Sequence, residues 1–369
     1  MTRVLIATGI SFPQIGGPAT YSKILGEELP KRGITTEILS FDEVRHFPKL
    51  VRHFLYFLKV FRKLWNFDLV YAQDPVSVGL PSLLAAKIVG KRLILKIVGD
   101  YAWEQGVLRF GVADSLDKFY GRRHSFPVGI LLWVEHLVSR GAYRIIVPSH
   151  YLKGLVIKRW GVQSNKVRVI YNTFETPETK LTKSQARSQL GLENQKVILT
   201  AGRLVPWKRF ELLIEWLAPI LRKHTGMKLF IAGSGPLEDK LKKIIRFLGL
   251  EKEVTLLGSL KKDILWSYLR AADLFVLNST YEGFSHQLLE ALAAETPVVA
   301  TNVGGNAELI EDGKSGILFE SYDRKTFRES VERLVTDEAL SQRLREWGLK
   351  RLESFNKDSM MAALITELH

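Results

Sequence analysis

Cysteine is absent from this chain of 369 residues. Its absence excludes a disulfide framework and a thiolate metal site, and it favours a reducing, cytoplasmic setting. No uninterrupted apolar run reaches the ~18 residues that span a bilayer. The first residues, MTRVLIATGI, have too short an apolar stretch for a signal peptide and are predicted to form a strand. We therefore expect a cytoplasmic protein, either soluble or peripheral on the cytoplasmic face of a membrane.

Two further absences exclude classes of function. The first predicted strand is followed by GISFPQIGG rather than by a compact Gly-x-Gly-x-x-Gly turn, which argues against a nicotinamide oxidoreductase. No recognisable nucleic-acid-binding module is present, so a basic nucleic-acid-binding protein is the weaker alternative and we expect no nucleic-acid partner. Repeats of short period and low-complexity tracts are missing as well.

The positive charge is concentrated in the first half of the chain. Residues 1–175 hold 25 Lys and Arg against 13 Asp and Glu, a net of +12, whereas the remainder holds 28 against 26, a net of +2. A basic half beside a near-neutral half indicates that one domain meets an anionic surface. Nucleic acid, anionic lipid and phosphorylated substrates all have the required charge.

Short runs rich in β-branched residues alternate with amphipathic stretches of helical length along the whole chain. The predicted strands of the first half are RVLIATG, TTEILSF, FDLVYAQD, RLILKIVGD, YRIIVPS and KVRVIYN. Those of the second half are KVILTAG, MKLFIAGSG, EVTLLGS, DLFVLNS, TPVVATN and SGILF. This alternation predicts α/β architecture with parallel sheets covered by helices on both faces.

The alternation restarts after a polar linker, FETPETKLTKSQARS, at residues 174–188. We therefore predict two Rossmann-like, doubly wound domains, over residues 1–174 and 175–354, that face each other across a cleft. The last segment, from about residue 355 to 369, is predicted to be helical. In such folds ligands bind at the carboxyl ends of the strands.

Two cations follow the first predicted strand of the second half. Arg203 comes directly after Ala201-Gly202, and Lys208 lies five residues later. An arginine fork and a lysine point charge at a strand-to-helix turn can clamp a diphosphate. Ordinary surface charge is the alternative. Gly233 and Gly235 follow the next strand, where small residues let the backbone approach a ligand or simply form a turn.

Two glutamates, Glu282 and Glu290, lie eight positions apart in YEGFSHQLLE. At ~100° per residue they do not share one narrow face of a helix, so two separate roles are favoured over an acid/base pair. The amides of Gly283, Phe284 and Ser285 precede the predicted helix and could face an anion. Carboxylates beside such a site can accept hydrogen bonds from sugar hydroxyls. The alternative is that both glutamates are exposed to solvent without a ligand, as most glutamates on helices are.

The motifs of the second half resemble those of family 4 of the retaining glycosyltransferases, which have the GT-B fold. The resemblance is carried by GRLVPWK, AGSGP, YEGFSHQLLEALAAETPVVATNVGGNAELI and DGKSGILF, in that order. In the first half FPQIGGPATY resembles the family's glycine loop, and VIYNT resembles its domain-joining segment. A phosphorylase or an epimerase on the same fold is a minor alternative.

The resemblance implies a role for each of these residues. Arg203 and Lys208 would hold the donor diphosphate, near Gly202. Glu282 would contact the transferred sugar and Glu290 the ribose. From the other, acceptor-side domain, Gly16 and Gly17 would approach the diphosphate or the acceptor, and the chain end would cross back onto that domain. The donor would be a UDP or GDP sugar, with no further cofactor. No Asp-x-Asp occurs in the chain, which fits a metal-independent enzyme.

One position departs from the family pattern. Relatives often carry a histidine after the strand that corresponds to RLILKIV, whereas this chain has Gly99 and Asp100. Asp100 could take over a contact with the sugar or touch the acceptor, and it is included among the candidate catalytic residues. A helix-capping aspartate is the alternative.

Residues 47–67, FPKLVRHFLYFLKVFRKLWNF, are predicted to form an amphipathic helix with a basic face and an aromatic face. Its cations suit an anionic membrane, while its apolar face could equally pack on the sheet. A second basic stretch is DKFYGRRHSFPVG. Together they favour a membrane-associated enzyme with a lipid-linked or membrane-proximal glycan as acceptor, and a small-molecule or polysaccharide acceptor is the alternative. The transferred sugar that the resemblance implies is of hexose type. The candidate acceptor or membrane residues are Lys49, Arg52, Lys59, Arg62, Lys63, Arg122 and Arg123.

Overall fold

The computed structural model describes residues 2–11, 16–174, 176–177 and 181–369. The chain divides into two compact units. Unit 1 comprises Met1–Asn172 and Asp358–His369, and unit 2 comprises Thr173–Lys357.

Unit 1 contains a parallel sheet of six strands in the order β2-β1-β3-β4-β5-β6. The apolar runs of the first half form these strands. They are β1 (Arg3–Thr8), β2 (Thr35–Ser40), β3 (Leu69–Ala72), β4 (Arg92–Lys96), β5 (Arg144–Val147) and β6 (Val167–Val169).

In the described part of unit 1, seven helices connect the strands. They are α1 (Gly17–Lys31), α2 (Lys49–Leu64), α3 (Leu80–Ile88), α4 (Tyr101–Arg109), α5 (Leu116–Phe119), α6 (Phe126–Gly141) and α7 (His150–Trp160). Shorter turns of 3₁₀ or π type occupy Phe41–Val44, Pro75–Gly79 and Ser164–Lys166.

Unit 2 repeats the architecture with a parallel sheet in the order β12-β11-β10-β7-β8-β9. Its strands are β7 (Lys196–Ala201), β8 (Met227–Ala232), β9 (Val254–Gly258), β10 (Leu274–Leu277), β11 (Val298–Thr301) and β12 (Ile317–Phe319). Strands β10 and β11 are buried along their whole length, as expected for a sheet with helices on both faces.

The helices of unit 2 are α8 (Lys183–Leu190), α9 (Phe210–Lys223), α10 (Glu238–Phe247), α11 (Lys262–Ala271), α12 (His286–Ala293), α13 (Asn306–Leu309), α14 (Arg324–Thr336) and α15 (Glu338–Leu352). Short 3₁₀ turns occupy Pro206–Lys208 and Glu353–Phe355. Each predicted strand run is found as a strand, so the predicted α/β class with two parallel sheets is confirmed.

The last helix, α16 (Lys357–Leu368), returns to unit 1. Its apolar residues Met361, Leu364 and Leu368 are fully buried beside α1 and one face of the unit 1 sheet. Glu367 joins it to the strands, because its carboxylate accepts hydrogen bonds from Arg144 and Arg168.

The predicted linker is shorter in the structure than in the sequence interpretation. Helix α8 begins at Lys183, inside the stretch 174–188, so the second half of that stretch is helical. Thr182 and Gln185 form a reciprocal capping box, in which each side chain accepts a hydrogen bond from the other residue's backbone N–H. Residues 175 and 178–180 lie outside the described residues.

Candidate functional site

The strand order of unit 2 reverses between β7 and β10, which lie side by side. The connections that follow two such strands turn to opposite faces of the sheet. They leave a crevice at the carboxyl ends of the strands, where open α/β sheets bind ligands. The loop after β7 carries Arg203 and Lys208, and the loop after β10 carries Glu282. The fold therefore brings these three predicted site residues to one point.

Lys208 and Glu282 form a buried ion pair at this switch point. Lys208 Nζ lies 2.6 Å from Glu282 Oε1, and each side chain is only 9% exposed. Ser279 Oγ donates a second hydrogen bond of 2.6 Å to the same carboxylate oxygen. Lys208 Nζ also lies 3.4 Å from Gln287 Oε1 on α12. The pair therefore holds the two loops together and places a cation and a carboxylate at one edge of the sheet.

Arg203 lies on the surface of the same loop, with its guanidinium 5.4 Å from the centre of the Trp207 ring. A guanidinium over an aromatic face is attracted by the ring quadrupole. Lys208 ends the turn Pro206–Lys208, which precedes helix α9. Arg209 follows in the left-handed region, with φ of 53°, and α9 starts one residue later.

The glycines Gly202, Gly233 and Gly235 bring two backbone loops into direct contact. A Cβ atom on Gly233 would overlap the carbonyl of Gly202, and one on Gly235 would overlap the backbone of Leu204. The backbone N–H of Leu204 donates to the carbonyl of Ser234 at 2.9 Å. Gly233 and Gly235 are thus required for loop-to-loop packing beside Arg203, a reason for their small size that the sequence alone did not indicate.

A second pair of loops fixes Glu282. A Cβ on Gly304, whose φ is +57°, would overlap the carbonyl of Glu282, and Gly305 packs on Gly283 in the same way. The N–H of Gly305 donates to the Glu282 carbonyl at 2.9 Å. The loop after β11 therefore sets the position of the Glu282 backbone.

Helix α12 begins at His286, after the buried residues Gly283, Phe284 and Ser285. Ser285 is its N-cap and accepts a hydrogen bond from the N–H of Leu288 at 3.4 Å. Glu282 lies on the loop before the helix, as predicted. Glu290 is the fifth residue of α12, a little more than one turn from its start.

Glu290 is partly buried and, among the described residues, its carboxylate makes no hydrogen bond or ion pair. Burial raises the pKa of Glu290 from 4.5 to about 7, and the nearby charge of Lys262 opposes that increase. A carboxylate on α12 with unused acceptor capacity can accept hydrogen bonds from the hydroxyl groups of a ligand.

Asp100 is a buried helix cap. Its Oδ1 accepts from the backbone N–H of Trp103 at 2.8 Å, and its Oδ2 accepts from the hydroxyl of Tyr120. Burial raises the pKa of Asp100 to about 6, against the effect of the hydrogen bond from Tyr120. Asp100 therefore caps α4, as the alternative reading had it, and a contact of this residue with the sugar or the acceptor stays a prediction.

Gly16 and Gly17 precede and begin α1, beside the point where the unit 1 strand order reverses between β1 and β3. A Cβ on Gly16 would overlap Ile10, whereas Gly17 has open space around its Cα. Residues 12–15 of the predicted glycine loop lie outside the described residues. Unit 1 thus presents two glycines at its own switch point, while Arg203, Lys208 and Glu282 belong to unit 2.

The predicted basic face of α2 is partly neutralised. Lys59 pairs with Glu43 and Lys63 pairs with Glu37, and the Arg52 guanidinium lies 5.7 Å from the centre of the Phe41 ring. The remaining predicted cations, Lys49, Arg62, Arg122 and Arg123, are exposed, and Arg122 also pairs with Asp114 at 3.2 Å.

The aromatic face of α2 does not form the contact with the sheet. Tyr56, Val60 and Leu64 are the buried side chains of this helix, while Leu50 and Phe54 are exposed. Stacked rings of Phe54, Phe57 and Phe61 continue the aromatic face. Across the described residues, no helix combines the length and apolarity needed to cross a bilayer.

Sequence reasoning missed three polar residues near the ion pair. Ser279 donates to Glu282, and Gln287 accepts from Lys208. Asn278 follows β10 with a fully buried amide that has no hydrogen-bond partner among the described residues. The only signal for Asn278 and Ser279 was their place directly after a buried strand, and nothing marked Gln287.

Two protein-family models match this chain. "Glycosyltransferase Family 4" matches residues 15–177, and "Glycosyl transferases group 1" matches residues 182–351. The chain belongs to glycosyltransferase family 4. The resemblance to that family is thereby confirmed. The motifs that carried it lie inside the matched ranges, except for the first three residues of FPQIGGPATY, which precede residue 15.

Curated relatives of this glycosyltransferase align with part of the chain. An uncharacterized glycosyltransferase of Methanocaldococcus jannaschii is 34% identical over 210 residues, which cover 55% of this chain and 54% of that protein. A Campylobacter jejuni enzyme named N-acetylgalactosamine-N,N'-diacetylbacillosaminyl-diphospho-undecaprenol 4-alpha-N-acetylgalactosaminyltransferase is 30% identical over 203 residues, 55% of this chain and 53% of that protein. The alignments thus span about half the length of both relatives.

Solved structures share the fold over the whole chain. The Anabaena protein HepE, crystallised in complex with UDP and glucose, superposes with a TM-score of 0.78 at 21% identity, covering 100% of this chain and 99% of that one. At this identity the likeness establishes the GT-B fold for this glycosyltransferase.

Proposed function

We propose that this protein transfers a hexose-type sugar from a nucleotide-diphosphate sugar to an acceptor, with retention of the anomeric configuration and without a metal ion. The observation that carries the proposal is the buried Lys208–Glu282 pair at the switch point of unit 2. A UDP sugar is the favoured donor because HepE, which shares the fold, was crystallised with UDP and glucose. A GDP sugar is the alternative.

The chemistry follows from where charge develops. Departure of a nucleoside diphosphate leaves negative charge on its oxygens, and preorganised cations stabilise that charge most in a buried site. Lys208 and Arg203 supply the cations in this proposal. Glu282 accepts a hydrogen bond from a hydroxyl of the transferred sugar, and Glu290 accepts hydrogen bonds from the ribose hydroxyls. The acceptor attacks from the face that the diphosphate leaves, so configuration is retained.

The proposed acceptor is a lipid-linked or membrane-proximal glycan at an anionic membrane surface. The net charge of +12 on residues 1–175 supports such a surface. The Campylobacter jejuni relative supports the acceptor class, because its name specifies a diphospho-undecaprenol substrate. A small-molecule or polysaccharide acceptor in solution is the second candidate.

A thermal-shift screen of UDP and GDP sugars tests the proposal. We expect one nucleotide family to raise the melting temperature, with the same shift in the presence of EDTA. Release of the nucleoside diphosphate with polyprenyl-diphosphate glycans, compared with soluble glycans, then distinguishes the two acceptors. A protein that responds to no nucleotide would contradict the proposed function.

A further inference from the structure

Exposed apolar side chains are concentrated on three helices of unit 1. Phe126 is 82% exposed and Trp133 is 62% exposed on α6, and Leu50 is 88% exposed on α2. Trp65, at the end of α2, and Ile88, at the end of α3, are also mostly exposed. Large apolar groups of this size are normally covered, so their grouping indicates a surface that meets an apolar partner.

The three helices lie in one layer. Helix α2 packs against α3, and α3 packs against α6. Helices α1 and α16 cover the opposite face of the sheet, as right-handed crossovers require for a chain that runs from β1 to β2 and then back past β1 to β3. The exposed apolar groups therefore belong to one continuous side of unit 1, which we call the outer helix layer.

Helix α6 has two apolar faces. Val128, Val134 and Val138 are buried against unit 1. Phe126, Ile130 and Trp133 recur at intervals of four and three residues, so they share one face of the helix, and all three are exposed. A helix of a water-soluble unit normally has a polar outer face, and this one instead presents aromatic and aliphatic groups to the outside.

Cations flank these apolar groups. Arg122 and Arg123 lie just before α6 and are exposed, as are Lys49 and Arg62 on α2 and Lys87 on α3. Aromatic side chains next to exposed lysines and arginines match the boundary of an anionic bilayer, where rings sit at headgroup depth and cations meet lipid phosphates. A protein partner would not require exposed aromatic rings and exposed cations side by side on one surface.

We propose that the outer helix layer inserts Phe126, Ile130 and Trp133 of α6, with Leu50, Phe54 and Trp65 of α2, into the headgroup region of an anionic lipid bilayer. The inference rests on the peripheral-membrane part of the proposed function. It extends that part because α6 becomes the main apolar anchor. Only the arginines that precede α6, Arg122 and Arg123, were predicted from the sequence to meet a membrane.

The test compares the wild type with one double variant and one single variant in co-sedimentation with vesicles of phosphatidylglycerol and phosphatidylcholine. Phe126→Ser with Trp133→Ser removes the proposed anchor. Phe247→Ser is the matched control, because Phe247 is 88% exposed but lies on α10 of unit 2. We expect the double variant to bind vesicles roughly tenfold more weakly or worse, and the control to bind like the wild type.

A second arm tests the cations. Arg122→Gln with Arg123→Gln should weaken binding at low salt and reduce its dependence on salt, while pure phosphatidylcholine vesicles should bind every variant weakly. Thermal shifts with nucleotide sugars should be the same in all variants, which separates this inference from donor binding. Equal vesicle binding by wild type and the Phe126/Trp133 variant would overturn it. So would a wild-type protein that ignores vesicles but self-associates through this face in sedimentation velocity.

Discussion

Lys208 and Glu282 hold opposite charges 2.6 Å apart where both side chains are almost fully buried. Removing water from two charges is costly, and the pair is tolerated because the two charges compensate each other. Ser279 also donates a hydrogen bond to Glu282, and Gln287 accepts one from Lys208. If one partner is removed, the other becomes an uncompensated buried charge. The pair therefore affects stability as well as the proposed donor binding, and the two effects can be separated.

We expect Lys208→Met and Glu282→Gln alone to lower the free energy of unfolding by about 3–5 kcal/mol each. The combined variant should recover much of that loss, since it leaves no unpaired charge. Urea denaturation of the four proteins measures the cycle. Lys223→Met is the control, because its pair with Glu332 is exposed and should contribute no more than about 1 kcal/mol. If the loss of unfolding free energy in the combined variant equalled the sum of the two single losses, this account would be contradicted.

Glu290 makes stability depend on pH in a definite window. Burial raises the pKa of Glu290 from 4.5 to about 7, so the folded state keeps the proton while the unfolded chain loses it. Stability is therefore lost as the pH rises from about 4.5 to about 7. We expect Glu290→Gln to melt like the wild type at pH 4 and at a higher temperature at pH 8. A melting difference that is the same at both pH values would refute the assignment.

The loop after β11 determines whether the Glu282 loop can keep its shape. Gly304 and Gly313 both have positive φ, but only Gly304 faces a neighbouring carbonyl, and Gly313 has open space. Gly313→Ala should therefore cost about 1 kcal/mol of backbone strain. Gly304→Ala should cost more and should also reduce the thermal shift caused by nucleotide. Equal effects of the two substitutions on nucleotide binding would argue against a role of this loop.

The strands and most of the helices were easier to predict from the sequence than the contacts between them. Buried strands such as β10 and β11 are continuous apolar runs, and the run alone indicates a strand in a covered sheet. Helix α8 was missed because its residues are polar, although Thr182 and Gln185 carried a capping signal. The aromatic face of α2 was recognised, but whether it packs or is exposed depends on α3, which no local pattern records.

The candidate site shows the same division. Arg203, Lys208 and Glu282 were found because each follows a predicted strand, and parallel strands bring such positions to one edge. Their pairing could not be predicted, since the distance between side chains depends on the loops fixed by Gly233 and Gly304. Asp100 shows the converse, because its cap of α4 could be foreseen from the local sequence, whereas its contact with Tyr120 depends on the fold.

At the scale of the whole molecule, the chain end completes unit 1. Residues 358–369 belong to unit 1 although unit 2 separates them from the rest of it. Met361, Leu364 and Leu368 of α16 are fully buried beside α1 and the sheet. Removing residues 357–369 should therefore expose part of the unit 1 core and lower the melting temperature of that unit.

Glu367→Gln provides a milder version of the same test. It weakens the bonds from Arg144 and Arg168 without exposing apolar surface, so its effect should be much smaller than that of the deletion. Hydrogen exchange of α1 and β1 measures both changes. Unaltered protection of α1 after the deletion would show that α16 does not support unit 1.

The most direct test of the account is a calorimetric titration with the nucleotide sugar that gives the largest thermal shift. Wild type and Lys223→Met should bind it equally well. The combined Lys208→Met and Glu282→Gln variant, which should be folded, is expected to bind about 100-fold more weakly or not at all, because it lacks both charged contacts. If the combined variant bound the nucleotide sugar as tightly as the wild type does, the central claim that this buried pair binds the sugar nucleotide would be contradicted.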